Sequence, residues 1–193
     1  MKFATTTLAA ALGLAFCGAA LAQERTLQRD VNQQQRIEQG LKSGQLTTQE
    51  AARLEREQAR IERDQARAMS DGKLSPAEKA RLEREQNRAS RDIYREKHDA
   101  QTGNPSSASS QRMQADVQRN LNQQQRIEQG VKSGQLTTRE AARLERDQAR
   151  DSAVEARAGA DGKVGPNEQA RIQRNENRQS RRIYREKHDV EQR

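Results

Sequence analysis

Residues 43–58 read SGQLTTQEAARLEREQ, and residues 133–148 read SGQLTTREAARLERDQ. Two weaker versions stand at 70–86, SDGKLSPAEKARLEREQ, and at 160–176, ADGKVGPNEQARIQRNE. Each version joins a glycine turn, one aliphatic residue and a helix start. Thr47-Thr48-Gln49-Glu50 is a capping box, in which the Thr oxygen and the Glu carboxylate satisfy backbone amides reciprocally. Ser75-Pro76-Ala77-Glu78 is a stronger start, because proline at the first helical position gives up no hydrogen bond. The stretch therefore decides the fold class: all-α, with helices begun by capping boxes and ended by glycine.

Working outward, residues 28–100 align with 118–190 at an offset of 90 and match at roughly two-thirds of positions, with RIEQG, KSGQLTT, EAARLER and IYREKHD intact. Within each copy a second offset of 28 carries Gly44 to Gly72 and Gly134 to Gly162. Each copy predicts three helices. The first spans about 28–42 with Val31, Ile37 and Leu41 on one side, and stops at Gly44, which accepts the left-handed conformation that follows a helix end. The second begins at Thr47 and continues as LEREQAR followed by IERDQAR. The third begins at Ser75 and runs to about Lys97.

On the second helix Ala51, Leu54, Gln58, Ile61, Gln65, Ala68 and Met69 share a face, with Arg53, Arg56, Arg60, Arg63 and Arg67 beside it. The apolar stripe is narrow and interrupted by glutamine. Arg53 with Glu57, and Arg60 with Asp64, stand four apart and support the isolated helix by about 0.2–0.5 kcal/mol each. Helical hairpins or small three-helix bundles are expected in each copy, with elongated helices as the alternative. Between them residues 101–111, QTGNPSSASSQ, have the Gly, Pro and Ser content of a flexible linker. The domain reading is a signal peptide at 1–22, repeat 1 at 23–100, a linker at 101–115 and repeat 2 at 116–193.

The first 22 residues place Lys2 ahead of an apolar run from about Leu8 to Ala20, then Ala20-Leu21-Ala22 before Gln23. That is the pattern of a secretory signal peptide with a small-x-small cleavage site, its apolar run too short to span a bilayer. Phe16 before Cys17 departs from lipoprotein processing. The expected location is thus periplasmic or extracellular, in a bacterial envelope setting. Cleavage removes Phe3, Phe16 and Cys17, leaving no disulfide to compensate for a small core. No later apolar run is long enough for a transmembrane helix. Loss of Lys2 takes the net charge from +8 to +7, and a basic exported chain meets anionic polymers and envelope surfaces readily.

The glycine turns resemble the second half of an EF-hand loop: Asp71-Gly72-Lys73-Leu74 with Glu78, and Asp161-Gly162-Lys163-Val164 with Glu168, and with them Gly44 and Glu50, Gly134 and Glu140. The chain thus resembles degenerate EF-hand-like helix-loop-helix repeats in a small exported bacterial protein. The resemblance implies cation ligation by Asp71, Glu78, Asp161 and Glu168. Where such a loop carries its first and third oxygen ligands, this chain has Gln39 and Leu41, Arg67 and Met69, Gln129 and Val131, and Arg157 and Gly159. Calcium takes six to eight oxygens, so tight binding in these loops is not expected, and only a weak divalent cation response remains.

His98 and His188 are the only histidines, each read as part of a basic helix end. No nucleophile-base-acid set and no glycine-rich phosphate loop is present, so the chain reads as a non-enzyme without a cofactor. Arg171, Arg174, Arg178, Arg181, Arg182 and Arg185 recur at helical spacing, and guanidinium groups in a row suit phosphate or carboxylate. In the first copy Arg81, Arg84, Arg88, Arg91 and Arg95 are interleaved with Glu83, Glu85 and Asp92. The functional expectation is a non-catalytic binding or structural module for an anionic polymer or envelope surface, with self-association of the repeats possible. The alternative is a periplasmic stress chaperone or metal-responsive helical sensor.

Overall fold

Six helices carry the chain: α1 (Leu12–Ser43), α2 (Thr48–Ala68), α3 (Pro76–Lys97), α4 (Ala108–Lys132), α5 (Thr138–Ala158) and α6 (Pro166–Glu186). The computed structural model describes residues 12–189, with side chains from Gln23 onward, and the described residues contain no strand. Residues 1–11, with the side chains of 12–22, lie outside the described residues, and the signal-peptide reading falls there. Among the described residues no helix is long and apolar enough to cross a membrane.

The capping chemistry places the starts of α2, α3 and α5. Thr47 Oγ1 accepts from the Glu50 amide at 3.2 Å while Glu50 Oε2 accepts from the Thr47 amide at 2.8 Å. Ser75 with Glu78 and Thr137 with Glu140 repeat the exchange. At Gly165 half of the box survives, because glycine has no side chain and only its amide donates to Glu168 Oε2, at 2.8 Å. Gly44, Gly72, Gly134 and Gly162 turn the chain at φ of 75°, 88°, 77° and 84°, a conformation that glycine adopts without the Cβ clash of other residues.

Two expected boundaries shift. The first helix begins at Leu12, well before residue 28, because nothing from 23 to 30 breaks a helix and Leu27 is buried against Ile127 and Val131. The stretch expected as linker to 115 is helical from Ala108, where Ser107 Oγ accepts from the Ser110 amide at 3.1 Å. The remaining connection is anchored: the Gly103 amide donates to the Gly44 carbonyl at 2.8 Å. A Cβ at Gly103 would stand 2.3 Å from the Leu46 carbonyl oxygen, so only glycine permits this approach.

The helices of the two copies are interleaved in one body. The most extensive pairing is between α2 and α5, followed by α1 with α4, while α3 and α6 lie outside against their own copies. The pairing of α2 with α5 is antiparallel, since Met69 and Ala68 pack with Ala142 at one end and Ala52 with Ala158 at the other. It depends on a heptad seam in which alanine alternates with buried glutamate or serine: Ala52, Glu55, Ala59, Glu62 and Ala66 on α2, and Ala142, Glu145, Ala149, Ser152 and Ala156 on α5, all buried. At the seam's end a Cβ on Gly159 would lie 2.9 Å from Ala52 Cβ and 3.3 Å from the Thr48 carbonyl oxygen. Backbones approach that closely only across alanine and glycine.

The core has two apolar ends and a polar middle. One end gathers Ile37, Leu41, Leu46, Leu54 and Ile93 of the first copy with Met113, Val117, Val164 and Ile172 of the second. The other gathers Leu27 with Ile127, Val131, Leu136, Leu144 and Ile183, next to Met69, Leu74 and Leu82. Between them lies a belt of buried acids and amides, where Glu55, Glu62, Glu145 and Glu155 are all 0% exposed.

Candidate functional site: an arginine groove beside a buried acidic belt

The belt is held by side-chain amides rather than by cations. Gln34 Nε2 donates to Glu55 Oε2 at 3.2 Å, and Asn120 Nδ2 reaches Glu155 Oε2 at 2.7 Å. Glu62 accepts from Gln124 Nε2 at 3.0 Å and from Ser152 Oγ at 3.1 Å, both donors belonging to the other copy. Asp30 accepts from Gln65 at 2.6 Å and from Gln86 at 2.7 Å. Burial dominates the electrostatics, because removing a carboxylate from water disfavours its charged form. It pushes Glu55, Asp30 and Asp116 up to about 7, against the help of their amide donors. Glu62, Glu145 and Glu155 are pushed well above the ordinary range, first by burial and then by neighbouring acids.

These carboxylates were not legible as core residues. In sequence Glu55, Glu62 and Glu145 each stand beside an arginine, which reads as a solvated pair, yet Arg56, Arg63 and Arg146 are exposed and the acids are buried. The signal available was the seam itself: Ala52, Ala59 and Ala66 recur seven apart with Glu55 and Glu62 between them, and small residues at that period suit a close partner helix.

On the outer surface of the second copy, α4, α5 and α6 enclose a groove of about 970 Å³. Of the six arginines expected to bind anions, Arg178, Arg181, Arg182 and Arg185 line it, whereas Arg171 and Arg174 stand further up α6, outside it. Arg126 from α4 and Arg150 from α5 complete the lining, with Asp147, Asp151 and Tyr184. Sequence periodicity finds neither Arg126 nor Arg150, because they arrive from other helices. Arg182 and Arg150 both pair with Asp147, the latter at 2.8 Å, and Arg126 Nη2 donates to the Ser180 carbonyl at 3.2 Å. Burial raises Asp151 to about 6, opposed by Arg178 and Arg150. Arg181 and Arg185 are exposed at the rim. With six arginines against two aspartates, the groove carries a net charge of +4.

The matching positions in the first copy are Arg36, Glu57, Arg60, Ile61, Glu85, Arg88, Arg91, Asp92 and Arg95, five arginines against three acids for a net charge of +2. Asp92 stands where the second copy has Arg182, and burial followed by the repulsion of Asp92 raises Glu57 to about 6. Tyr94 and Tyr184 are each 58% exposed, stacked on His98 and His188 with ring centroids 4.1 Å apart.

The four acids that the loop resemblance implicates are separate from one another in use. Glu78 Oε2 and Glu168 Oε2 accept from the cap amides of Ser75, at 2.9 Å, and Gly165, at 2.8 Å. Asp71 Oδ1 and Asp161 Oδ1 accept from the amides of Lys73 and Lys163, both at 2.9 Å. None of the four joins a cluster of three potential ligands among the described residues. Comparison with protein-family models, with curated proteins and with solved structures found no match.

Proposed function

We propose that this chain is a non-catalytic, exported envelope protein that holds an anionic polymer in the groove between α4, α5 and α6. The observation that carries the reading is the convergence of six arginines from three helices on one concavity containing two aspartates. Guanidinium groups present fixed forks of donors that match phosphate, sulfate and carboxylate oxygens. Tyr184 adds a flat exposed surface at the rim. Export rests on the pattern of the first 22 residues. The runner-up, a stress chaperone, needs an apolar surface to offer, whereas the large exposed hydrophobics among the described residues are Tyr94 and Tyr184.

The test compares two double variants of the whole chain, since a separated copy would lose the core contacts that the other copy supplies. Arg181→Ala with Arg185→Ala should weaken binding to heparin or duplex DNA and lower the salt slope by about 0.9 for each DNA phosphate no longer neutralised. Arg91→Ala with Arg95→Ala, the same positions in the first copy, should change binding much less. Equal weakening in the two variants, or binding indifferent to salt, would overturn the assignment of the groove.

A further inference from the structure

Each copy gathers three carboxylates where the start of its second helix meets the end of its third. One carboxylate oxygen each of Glu50, Glu96 and Asp99 lies within 4.8 Å of the other two, and Glu140, Glu186 and Asp189 do the same in the second copy. A calcium-sized cation about 2.4 Å from each ligand spans oxygens up to about 4.8 Å apart. The geometry is therefore that of oxygens able to share one ion.

A second observation points the same way. Glu50 is 0% exposed and Glu140 is 1% exposed. In each, Oε2 is committed to the helix cap, accepting from the Thr47 amide at 2.8 Å and the Thr137 amide at 2.7 Å. The other oxygen, Oε1, is buried in both without a hydrogen-bond partner. Burying a carboxylate oxygen without a partner is costly, and here the cost is raised by two more acids beside it. Glu96 and Asp99 also sit at the carbonyl end of α3, where the helix dipole disfavours negative charge. Arg53 offsets this weakly, its Nη1 lying 3.7 Å from Glu96 Oε2. In the second copy the matching Arg143 donates to the Arg139 carbonyl.

We propose that Glu50, Glu96 and Asp99, and equally Glu140, Glu186 and Asp189, are two hard divalent cation sites, completed by solvent on the exposed aspartate side. Oxygen-only donors favour calcium, magnesium or manganese over zinc or copper. The neighbouring imidazoles are turned away, with Nδ1 of His98 and His188 against the Tyr94 and Tyr184 carbonyls at 2.7 and 2.6 Å. The glutamate is the one retained in the SGQLTT turn. Its partners come from the IYREKHD end of the copy and not from the loop. The proposal is independent of the anion groove.

Calorimetric titration of the whole chain with calcium, manganese and magnesium chlorides, in buffer with moderate potassium chloride, tests it. Two sites per chain are expected for at least one of the three ions, one site in Glu96→Gln, and none in Glu96→Gln with Glu186→Gln. Circular dichroism would verify that both variants keep their helices, as partly exposed positions should allow. Asp71→Asn with Asp161→Asn should leave two sites. The proposal is overturned if no ion gives saturable heat up to about 5 mM, above the range of weak extracellular calcium modules. It is overturned equally if the double glutamine variant keeps both sites, or if the Asp71 and Asp161 substitutions remove them.

Discussion

Glu55→Gln turns the acidic belt into a measurable pH dependence. The Glu55 carboxyl is fully buried between α1, α2 and α4, and burial lifts its pKa from an ordinary 4.5 to about 7. A carboxyl raised in the folded state supports the fold fully below its unfolded pKa and ceases to as pH rises toward its folded pKa. The window is therefore about pH 4.5 to 7, and the protein should become less stable across it. At about 1.4 kcal/mol per pH unit the gap for Glu55 alone amounts to about 3 kcal/mol by pH 7.5. Glutamine, being neutral throughout, removes that term. It also adds amide hydrogens where Oε1 has no partner, a cost that is the same at every pH, so the informative quantity is the difference between two pH values. Urea unfolding followed by circular dichroism at pH 4.5 and 7.5 should show the wild-type midpoint falling with pH. Glu55→Gln should improve relative to wild type by about 3 kcal/mol between the two. A wild-type midpoint that is flat or rises from pH 4.5 to 7.5, or a variant whose effect is the same at both, would refute the buried neutral carboxyl.

Thr137→Ala removes the side-chain half of the capping box that starts α5 and should cost about 0.5–2 kcal/mol in urea unfolding, with Thr137→Ser restoring most of it. Gly40→Ala brings a Cβ to 2.6 Å from Leu46 Cδ1 and should cost about 1–3 kcal/mol as overpacking, partly relieved by Leu46→Val. Millimolar calcium should leave far-ultraviolet circular dichroism nearly unchanged, because the proposed carboxylate sites are preformed between helices already capped. Mass spectrometry of the exported protein should find Gln23 at the N-terminus; a chain beginning at a lipidated Cys17 would contradict the signal-peptide reading.

What was legible in the sequence was whatever is specified locally. Thr47, Glu50, Ser75, Pro76 and Glu78 encode helix starts through hydrogen bonds within four residues, and Gly44 and Gly72 encode turns through their own φ, so α2 and α3 begin where they were expected. The arginine row on α6 was legible as periodicity, and four of its six members line the groove. Placement between copies was not legible. Glu55 and Glu62 enter the core because α2 packs on α5 and α1 on α4, while Arg126 and Arg150 enter the groove because α4 and α5 pack with α6 inside the second copy. A charged residue flanked by arginines gives no local sign of which side of its helix will meet another.

Differences between the copies fall where this packing would place them. Asp30 accepts from Gln65 in the first copy, whereas in the second Asn120 donates to Glu155: donor and acceptor have exchanged ends. Gln86, a donor to Asp30, has Glu176 as its counterpart, and Arg119 Nε meets it at 3.0 Å. Glu62, whose counterpart is Ser152, accepts from that same serine and from Gln124. Were Ser152 a glutamate like its counterpart, two buried carboxylates would face each other across the α2 and α5 seam, a repulsion that low surrounding polarity magnifies. Had both positions become serine, Gln124 would lose the Glu62 oxygen that accepts its amide. The asymmetry is thus complementary across the seam and would serve no purpose in two copies folding apart, which makes the pair of copies, and not the single copy, the unit whose core is satisfied.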